Sequence, residues 1–263
     1  MIPLRDSTTL SLLYHLNSEP WPNREAYENT AYMVEYKEIA EAEETISLPP
    51  PEDSPLMQLL TRRSSCRRYL TREMPLRAVS TLLGGMYGVT KMTRISERQS
   101  ALLRTAPSAG GLFPLEIYAL VRGVEGLADG VHHYASHKHC LELMRRGSHF
   151  QEQEDFLVEA PFVQDANMLV LIGAAFDRTQ KKYGPRGYRY VLLEAGHAAQ
   201  NLCLLATHEG LGSLCIGGFF DAKLNRFLGL DGRHEAVVYC VAIGYPDQSA
   251  GPEAEMVHSH IQV

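Results

Sequence analysis

Residues 190–208 form the segment that most limits how this chain can fold. They are rich in leucine and alanine, contain few helix breakers and are followed by Gly210 and Gly212. This pattern predicts one long helix with a glycine stop. Apolar residues nearly encircle the predicted helix, and a helix of that kind is buried. We therefore expect it either at the centre of a domain or against a second subunit.

The chain is long enough to bury a full hydrophobic core, with 263 residues of which 45% are apolar. We predict one catalytic domain over residues 54–248, an extension over residues 1–53 and a tail over residues 249–263. The first boundary falls at residues 49–53, where three successive prolines can neither continue a helix nor complete a β-ladder.

The net charge of −6 and the pI near 6.0 provide no general basic surface. Neither nucleic acid nor an anionic membrane is therefore an expected partner. No segment approaches the roughly 20 apolar residues of a membrane span, and the first residues lack the pattern of an export signal. The five cysteines show no CxxC or metal-finger spacing, which is typical of a reducing compartment. They are Cys66, Cys140, Cys203, Cys215 and Cys240. We expect a cytoplasmic protein.

Two helices are predicted in the first part of the catalytic domain. Ser54 and Pro55 suit the cap and first turn of a helix, and that helix runs into a group of arginines. Residues 75–87 predict the second helix, although two glycines weaken it. The polar stretch 89–100 follows, and we expect it to be a mobile surface loop.

Four or five strands are expected after this loop, because several segments are rich in β-branched and aromatic residues. The segments with strand composition are 115–121, 141–144, 168–176 and 236–243. A further short helix is predicted over residues 221–228, capped by Asp221 and ended by Gly229. The overall prediction is an α+β fold.

The segment RRSSCRRY carries four arginines and two serines immediately after a predicted helix. Guanidinium groups, hydroxyls and free backbone N–H groups together suit a phosphate dianion. The candidate phosphate ligands are Arg63, Ser64, Ser65 and Arg67. The alternative is a solvated basic turn or a surface salt-bridge patch. Cys66, among the arginines, is interpreted as a filler rather than a reactive thiolate.

Two glycine-rich segments flank the predicted strands. TAPSAGGLFP, residues 105–114, combines prolines and glycines before a strand, and GLGSLCIGGF, residues 210–219, is a strand bounded by glycines. Glycines let a backbone approach a flat ligand closely, whereas a plain structural turn is the alternative. Neither segment is the GxGxxG fingerprint of a dinucleotide site.

Lys182 and Tyr183 are a candidate proton-transfer pair in front of the long helix. A neighbouring ammonium stabilises a phenolate and thereby lowers the pKa of the tyrosine. An exposed basic helix start is the alternative. A group of four histidines with Cys140 suggests a zinc site, but alternate residues of two strands point to opposite faces and cannot all meet one ion. We therefore expect no metal at His132, His133, His137 and His139.

Taken in order, these segments resemble the SagB-type and McbC-like branch of the nitroreductase superfamily, flavoenzymes that oxidise azolines to azoles in modified peptides. The resemblance extends from about residue 12 to residue 246. It rests on LLYHLNS, SLPPP, RRSSCRRY, PSAGGLFPLEIY, GVHHYASHKHCLEL, KYGPRGYRYVLLEAGHAAQN, GLGSLCIGGF and AIGYP.

The resemblance implies a nitroreductase-like FMN-binding fold, in which helices flank a central antiparallel-type sheet in an intertwined homodimer. It implies one FMN at each end of the dimer interface, bound by residues of both subunits. The implied FMN-phosphate residues are Arg63, Ser64, Ser65 and Arg67. Those implied along the isoalloxazine are Pro107, Ser108, Ala109 and Gly111, and those near flavin N5 are Ile216, Gly217 and Gly218. Lys182 and Tyr183 match the catalytic pair of the azoline branch.

The sequence departs from simple nitroreductases at two places. Those enzymes usually carry asparagine where this chain has Gly111, which favours the SagB-like branch. They also place basic residues after the GYP motif, whereas no lysine or arginine follows Pro246 here. Arg63 and Arg67 must then carry more of the phosphate charge.

The resemblance implies FMN-dependent dehydrogenation of thiazoline or oxazoline rings. The implied substrate is an azoline-containing peptide or a carrier-protein-bound precursor, made by a cyclodehydratase or synthetase partner. Two alternatives stay open. One is an NAD(P)H-dependent nitro or quinone reductase, and the other is a non-catalytic flavin-fold scaffold subunit of a peptide-modifying complex.

Overall fold

The computed structural model describes residues 7–19, 36–96, 99–158 and 160–249. Its helices are α1 (Ser7–Asn17), α2 (Pro55–Arg62), α3 (Leu76–Tyr87), α4 (Gln153–Phe156), α5 (Asp177–Tyr183), α6 (Arg186–His208) and α7 (Asp221–Leu228). Its strands are β1 (Tyr69–Leu70), β2 (Val89–Ser96), β3 (Gln99–Arg104), β4 (Leu115–Val121), β5 (Gly130–Ala135), β6 (Cys140–Arg146), β7 (Met168–Ala175), β8 (Gly212–Ile216) and β9 (Glu235–Pro246).

A seven-stranded antiparallel sheet forms the centre of the molecule. The strand order is β1, β9, β7, β4, β5 and β6, and β8 pairs with β9 on the same edge as β1. Helices α3 and α6 cover one face of this sheet, while α4 and α7 cover the other. The predicted α+β fold with an antiparallel-type sheet and flanking helices is confirmed. The sheet has more strands than the expected four or five.

Local sequence signals set the ends of several helices. The Ser54 hydroxyl accepts a hydrogen bond of 3.2 Å from the N–H of Met57, which caps α2 as predicted. Helix α6 ends at His208 and is followed by Gly210, whose φ of +71° lies in the left-handed region. The predicted glycine stop is therefore confirmed.

The start of α7 corrects the prediction made for Asp221. The N-cap position is held by Phe220, and Asp221 is the first helical residue, with no side-chain capping bond. An acidic residue in the first turn interacts favourably with the helix dipole, but burial outweighs this effect and raises the pKa of Asp221. Gly229 ends α7 as predicted, with a φ of +77°.

The polar stretch over residues 89–100 was expected to be a loop, and that prediction is wrong. β2 and β3 pair there as an antiparallel hairpin, separate from the main sheet. Residues with high β-propensity, such as Val89, Thr90 and Thr93, lie between the charged ones, and this propensity outweighs the polarity.

Helix α6 is buried on one face only. Its buried residues include Val191, Ala198 and Leu202, but Leu192 and Leu193 are 38% and 55% exposed. The expectation of a helix buried all round is therefore not met within a single chain. The exposed leucines keep open the second expectation, which is packing against another subunit.

Residues 1–6 and 20–35 of the predicted N-terminal extension, and all of the predicted C-terminal tail except Ser249, lie outside the described residues. Within the extension, α1 packs beside Tyr188, whose hydroxyl lies 3.1 Å from Nδ1 of His15. Residues 36–53 are extended or form short turns, and their side chains are exposed. The boundary over residues 49–53 and the division into extension, domain and tail stay predictions.

Candidate functional site

The arginine and serine segment follows α2 in the chain and lies in space beside the start of β8. Arg63 is the C-cap of α2, and its N–H donates to the Leu59 carbonyl over 3.0 Å. Ser65 then forms a bridge with Ser213, and the N–H of Cys66 donates to the Ser213 carbonyl over 2.9 Å. The basic segment is therefore held against the sheet edge and is not a free turn.

Arg63 carries its charge into the junction between α6 and β8. Its guanidinium acts electrostatically on the thiols of Cys203 and Cys215, which come from those two elements. Cys215 is followed directly by Ile216, the last residue of β8. Arg63 thus acts near the end of β8 that carries the candidate flavin residues, whereas Ser65 lies beside Ser213 near the start of that strand.

The end of β8 is open to a ligand. A Cβ added at Gly217 would meet no atom within 4 Å, and one added at Gly218 would first meet Cβ of Val158 at 3.5 Å. The Gly218 carbonyl accepts a hydrogen bond from the N–H of Val158 over 2.9 Å, which fixes the peptide orientation. This open backbone beside a guanidinium suits a flat ligand that carries a phosphate.

The loop after β3 forms the second part of the site. Residues Ala109–Gly111 make one turn of 3-10 helix, with φ of +65° at both Gly110 and Gly111. The Ser108 hydroxyl accepts the N–H of Phe113 over 2.9 Å, and the N–H of Gly111 donates to the Ser108 carbonyl over 3.1 Å. The glycines are required here because L side chains rarely adopt this conformation.

Lys182 and Tyr183, from the end of α5, converge on this loop. A Cβ added at Gly110 would lie 2.6 Å from the Tyr183 hydroxyl oxygen and 2.8 Å from Nζ of Lys182. Nζ of Lys182 also lies 5.2 Å from the centre of the Tyr183 ring, which Tyr190 contacts edge-on. Both polar groups therefore reach the same point above the loop.

Helix α5 is anchored so that its last residues face the loop. Arg178 forms an ion pair with Glu116 on β4 and also donates to the Phe113 carbonyl over 3.3 Å. Gly184 then turns the chain with a φ of +58° and a ψ of −147°. Gly187 lets α6 approach α5, because a Cβ there would lie 2.9 Å from Cα of Gln180. The sequence KYGPRGY thus specifies a tight corner.

Sequence reasoning missed a buried carboxyl group beneath the loop. Glu194, on α6, is 3% exposed and is hydrogen bonded to the hydroxyls of Tyr87 and Ser108. Burial raises its pKa, against the lowering effect of those hydrogen bonds and of Arg104. The Arg104 guanidinium also lies over the Tyr87 ring at 4.3 Å. The available signal was an acidic residue within the apolar face of a predicted buried helix.

The spacing of the cysteines also gave no indication of their contacts. The sulfurs of Cys203 and Cys215 lie 3.6 Å apart, although no disulfide joins them. Cys66 is half-buried, its thiol donates to the Arg68 carbonyl, and burial raises its pKa. This agrees with the interpretation of Cys66 as a filler rather than a thiolate.

The histidine-rich segment folds as two strands and a turn, as predicted. His132 is buried, while His133 on the opposite face contacts the carboxylates of Glu116 and Glu142. His139 lies between the hydroxyls of Ser80 and Tyr134. Within the part of the chain that the structure describes, no three or more His, Cys, Asp or Glu side chains are arranged so that they could hold a metal ion. No described helix is long and apolar enough to cross a membrane.

The candidate residues thus form two groups that share α6. Glu194 contacts the loop group, and Cys203 contacts the group around Arg63 and β8. Nine residues of helix separate these two contacts, which corresponds to about 13 Å of rise. The structure brings Lys182 and Tyr183 to the loop, and it brings Arg63 to the end of β8.

The sequence places the chain in a known family. A profile of the Nitroreductase family matches residues 60–245, so the chain belongs to this family. It is 37% identical over 183 residues to a protein of Methanocaldococcus jannaschii named as a candidate nitroreductase, covering 70% of this chain and 88% of that protein. It is 27% identical over 135 residues to the microcin B17-processing protein McbC of Escherichia coli, covering 49% of this chain and 50% of McbC.

Solved structures agree with this assignment of the fold. A chain of the microcin synthetase complex of Escherichia coli, determined with a truncated microcin precursor bound, matches with a TM-score of 0.67 at 19% identity. That match covers 92% of this chain and 93% of the other. A nitroreductase-like structure from Anabaena variabilis matches with a TM-score of 0.60 at 28% identity, over 73% of this chain and 38% of that one. The chain is an oxidoreductase of the nitroreductase superfamily with the nitroreductase fold.

Proposed function

We propose that this oxidoreductase is an FMN-dependent azoline dehydrogenase, which converts thiazoline or oxazoline rings into thiazoles or oxazoles. The observation that carries the proposal is the convergence of the Lys182 ammonium and the Tyr183 hydroxyl above Gly110. An azoline dehydrogenase must remove a proton from a ring carbon, and a proton acceptor at this position could take that proton. The 27% identity to McbC supports the same proposal.

The residues present fit FMN. Arg63 and Arg67, with the hydroxyls of Ser64 and Ser65, supply charge and hydrogen bonds for the phosphate. The open backbone at Ile216, Gly217 and Gly218 suits the edge of a flat ring system. Pro107, Ser108, Ala109 and Gly111 would contact the isoalloxazine, and the hydrogen bond between Ser108 and Glu194 would hold their loop in position.

When bound, FMN supplies the acceptor for the two electrons and one hydrogen that leave the azoline ring. The protein must position the ring and take the remaining proton. Tyr183 or Lys182 is the base that takes it, and the other member of the pair sets the proton affinity of the first. The edge contact from Tyr190 and the Arg178 anchor hold this pair in place.

The test uses Lys182→Ala and Tyr183→Phe in protein that retains FMN. The variant that lacks the base should oxidise an azoline peptide at least roughly 100-fold more slowly than the unmodified protein, and the variant that lacks its partner should also be slower. Lys181→Ala is the matched control, since Lys181 pairs with Asp177 on the same short helix. Mass spectrometry follows the loss of two hydrogens per ring. If both variants oxidise the peptide at the normal rate, the assignment is wrong.

Partners follow from the same proposal. The substrate is an azoline-containing peptide or a carrier-bound precursor, made by a cyclodehydratase or synthetase partner. The protein is a homodimer in which the exposed leucines of α6 lie against a second copy, so that the loop group of one subunit and the β8 group of the other share one FMN. Sedimentation of a Leu192→Glu, Leu193→Glu variant tests this arrangement. A variant that stays dimeric and flavinated contradicts it.

A second candidate is an NAD(P)H-dependent nitro or quinone reductase. It is favoured by the 37% identity to a protein named as a candidate nitroreductase. The two functions are separated by mixing the flavinated protein anaerobically with NADPH. Rapid bleaching of the flavin absorbance identifies a reductase, whereas an azoline dehydrogenase is bleached by its azoline substrate instead.

A further inference from the structure

Two thiols that lie 12 residues apart in the sequence meet between α6 and β8. The sulfurs of Cys203 and Cys215 lie 3.6 Å apart, and Cys203 is 3% exposed whereas Cys215 is partly exposed. A disulfide bond is about 2.0 Å long, so small side-chain rotations would have to bring the sulfurs together. The pair is therefore placed for a covalent bond that the reduced protein does not contain.

The two thiols have different surroundings, which favour Cys215 as the nucleophile and Cys203 as the resolving thiol. Its hydrogen bonds with the Cys203 thiol and the Tyr239 hydroxyl, together with the charge of Arg63, lower the pKa of Cys215, against the effect of burial. The hydrogen bond to Cys215 and burial raise the pKa of Cys203. A thiolate is the reactive form of cysteine, so Cys215 attacks first and Cys203 follows.

We propose that Cys203 and Cys215 are a reversible oxidation site, at which a peroxide converts the two thiols into an intramolecular disulfide. The Cys215 thiolate attacks one peroxide oxygen, which becomes the hydroxyl of a sulfenic acid while the other oxygen leaves as hydroxide. The Cys203 sulfur then displaces the sulfenic hydroxyl and loses its proton. In total, two thiols and one hydrogen peroxide give one disulfide and two molecules of water.

Oxidation would change the charge beside Arg63. The reduced pair presents a thiolate that partly neutralises this guanidinium, whereas a disulfide is neutral and leaves its full charge available. The oxidised protein should therefore bind inorganic phosphate more tightly, by about threefold or more. This consequence rests on the proposed role of Arg63, but disulfide formation does not.

The sequence makes the bond easy to map. Trypsin has no cleavage site between Arg189 and Lys223, so both cysteines lie on one tryptic peptide, and cleavage after Glu209 separates them. Full-length protein is exposed to hydrogen peroxide, blocked with N-ethylmaleimide and digested with trypsin and a glutamate-specific protease. The expected product is residues 195–209 linked to residues 210–223, two hydrogens lighter than the separate thiol peptides together.

Dithiothreitol should restore both peptides and both alkylation sites. Cys203→Ser and Cys215→Ser should each abolish the linked peptide, whereas Cys140→Ser, which changes an exposed cysteine on β6, should not. The experiment on the unmodified protein needs no variant. If Cys203 and Cys215 are both still alkylated after peroxide has oxidised Cys140, the proposal is overturned. If the disulfide forms but phosphate affinity does not rise, only the stated consequence for Arg63 fails.

Discussion

The Tyr87 hydroxyl donates a hydrogen bond of 2.5 Å to Oε1 of Glu194, and this contact joins α3 to α6 beneath the candidate flavin loop. The same hydroxyl accepts the N–H of Leu115 over 3.3 Å at the start of β4. Because Glu194 also holds Ser108, one buried network sets the position of the loop relative to the sheet.

Tyr87→Phe should therefore destabilise the protein. The change leaves the Glu194 carboxyl and the Leu115 N–H without their shared partner, and unsatisfied buried groups cost about 1 to 3 kcal/mol each. Urea unfolding measures this cost. A double-mutant cycle with Glu194→Gln should show coupling between the two positions. A free energy of unfolding that changes by less than about 0.5 kcal/mol would contradict the network.

The pH dependence of stability should change in Glu194→Gln. Since burial raises the pKa of Glu194, the folded state holds this proton more tightly than the unfolded chain does. The protonated carboxyl therefore contributes its full stabilisation at low pH. This contribution to the free energy of unfolding is lost as the pH rises through the pKa that Glu194 has in the folded state. Glutamine has no proton to lose, so the melting temperature of the variant relative to the unmodified protein should increase as the pH rises above 4.5, the ordinary pKa of a glutamate.

Gly110→Ala should impair catalysis beyond the cost of its backbone. The new Cβ would collide with the Lys182 and Tyr183 side chains, in addition to about 1 to 2 kcal/mol for a positive φ. Gly126→Ala is the matched control, because Gly126 has a φ of +69° and no atom within 4 Å of the added Cβ. Azoline turnover should fall strongly in the first variant and stay normal in the second, although both variants carry the backbone cost of a positive φ.

Arg63→Ala should weaken FMN retention by about 10- to 100-fold, because a charge-assisted phosphate contact contributes roughly 1.5 to 3 kcal/mol. Arg62→Ala is the control, since the Arg62 side chain donates to the Gln58 carbonyl within its own helix. Fluorescence titration of the cofactor-free protein with FMN measures both affinities. If the two variants bind FMN with equal affinity, Arg63 does not contact the phosphate.

Asp221→Asn should stabilise the protein near neutral pH. Burial, with a smaller contribution from Glu19, raises the pKa of Asp221 to about 6, so the stability linked to its protonated form is lost as the pH rises from about 4 through 6. Because the group is partly exposed, solvent screening limits the gain to about 1 kcal/mol. Thermal melts at pH 5 and pH 7.5 should show the larger benefit at pH 7.5.

Sequence information alone was enough to predict the long helix, its glycine stop, the capped helix before the arginines and the family. Each depends on local signals, such as the Ser54 cap, the glycine after α6 and the ordered motifs, and these do not require knowledge of distant residues. The polarity of residues 89–100 led to the wrong prediction of a loop, because the β-propensity of the residues between the charged ones favours a hairpin there.

The contacts between these residues depend on how the elements pack and could not be predicted from the sequence. Packing of α5 against the loop brings Lys182 and Tyr183 to Gly110, and packing of α6 against β8 brings Cys203 to Cys215. Glu194 acquires its partners in the same way. These contacts join segments that fold back on one another through a sheet whose strand order differs from chain order, and sequence spacing carries no direct record of that distance.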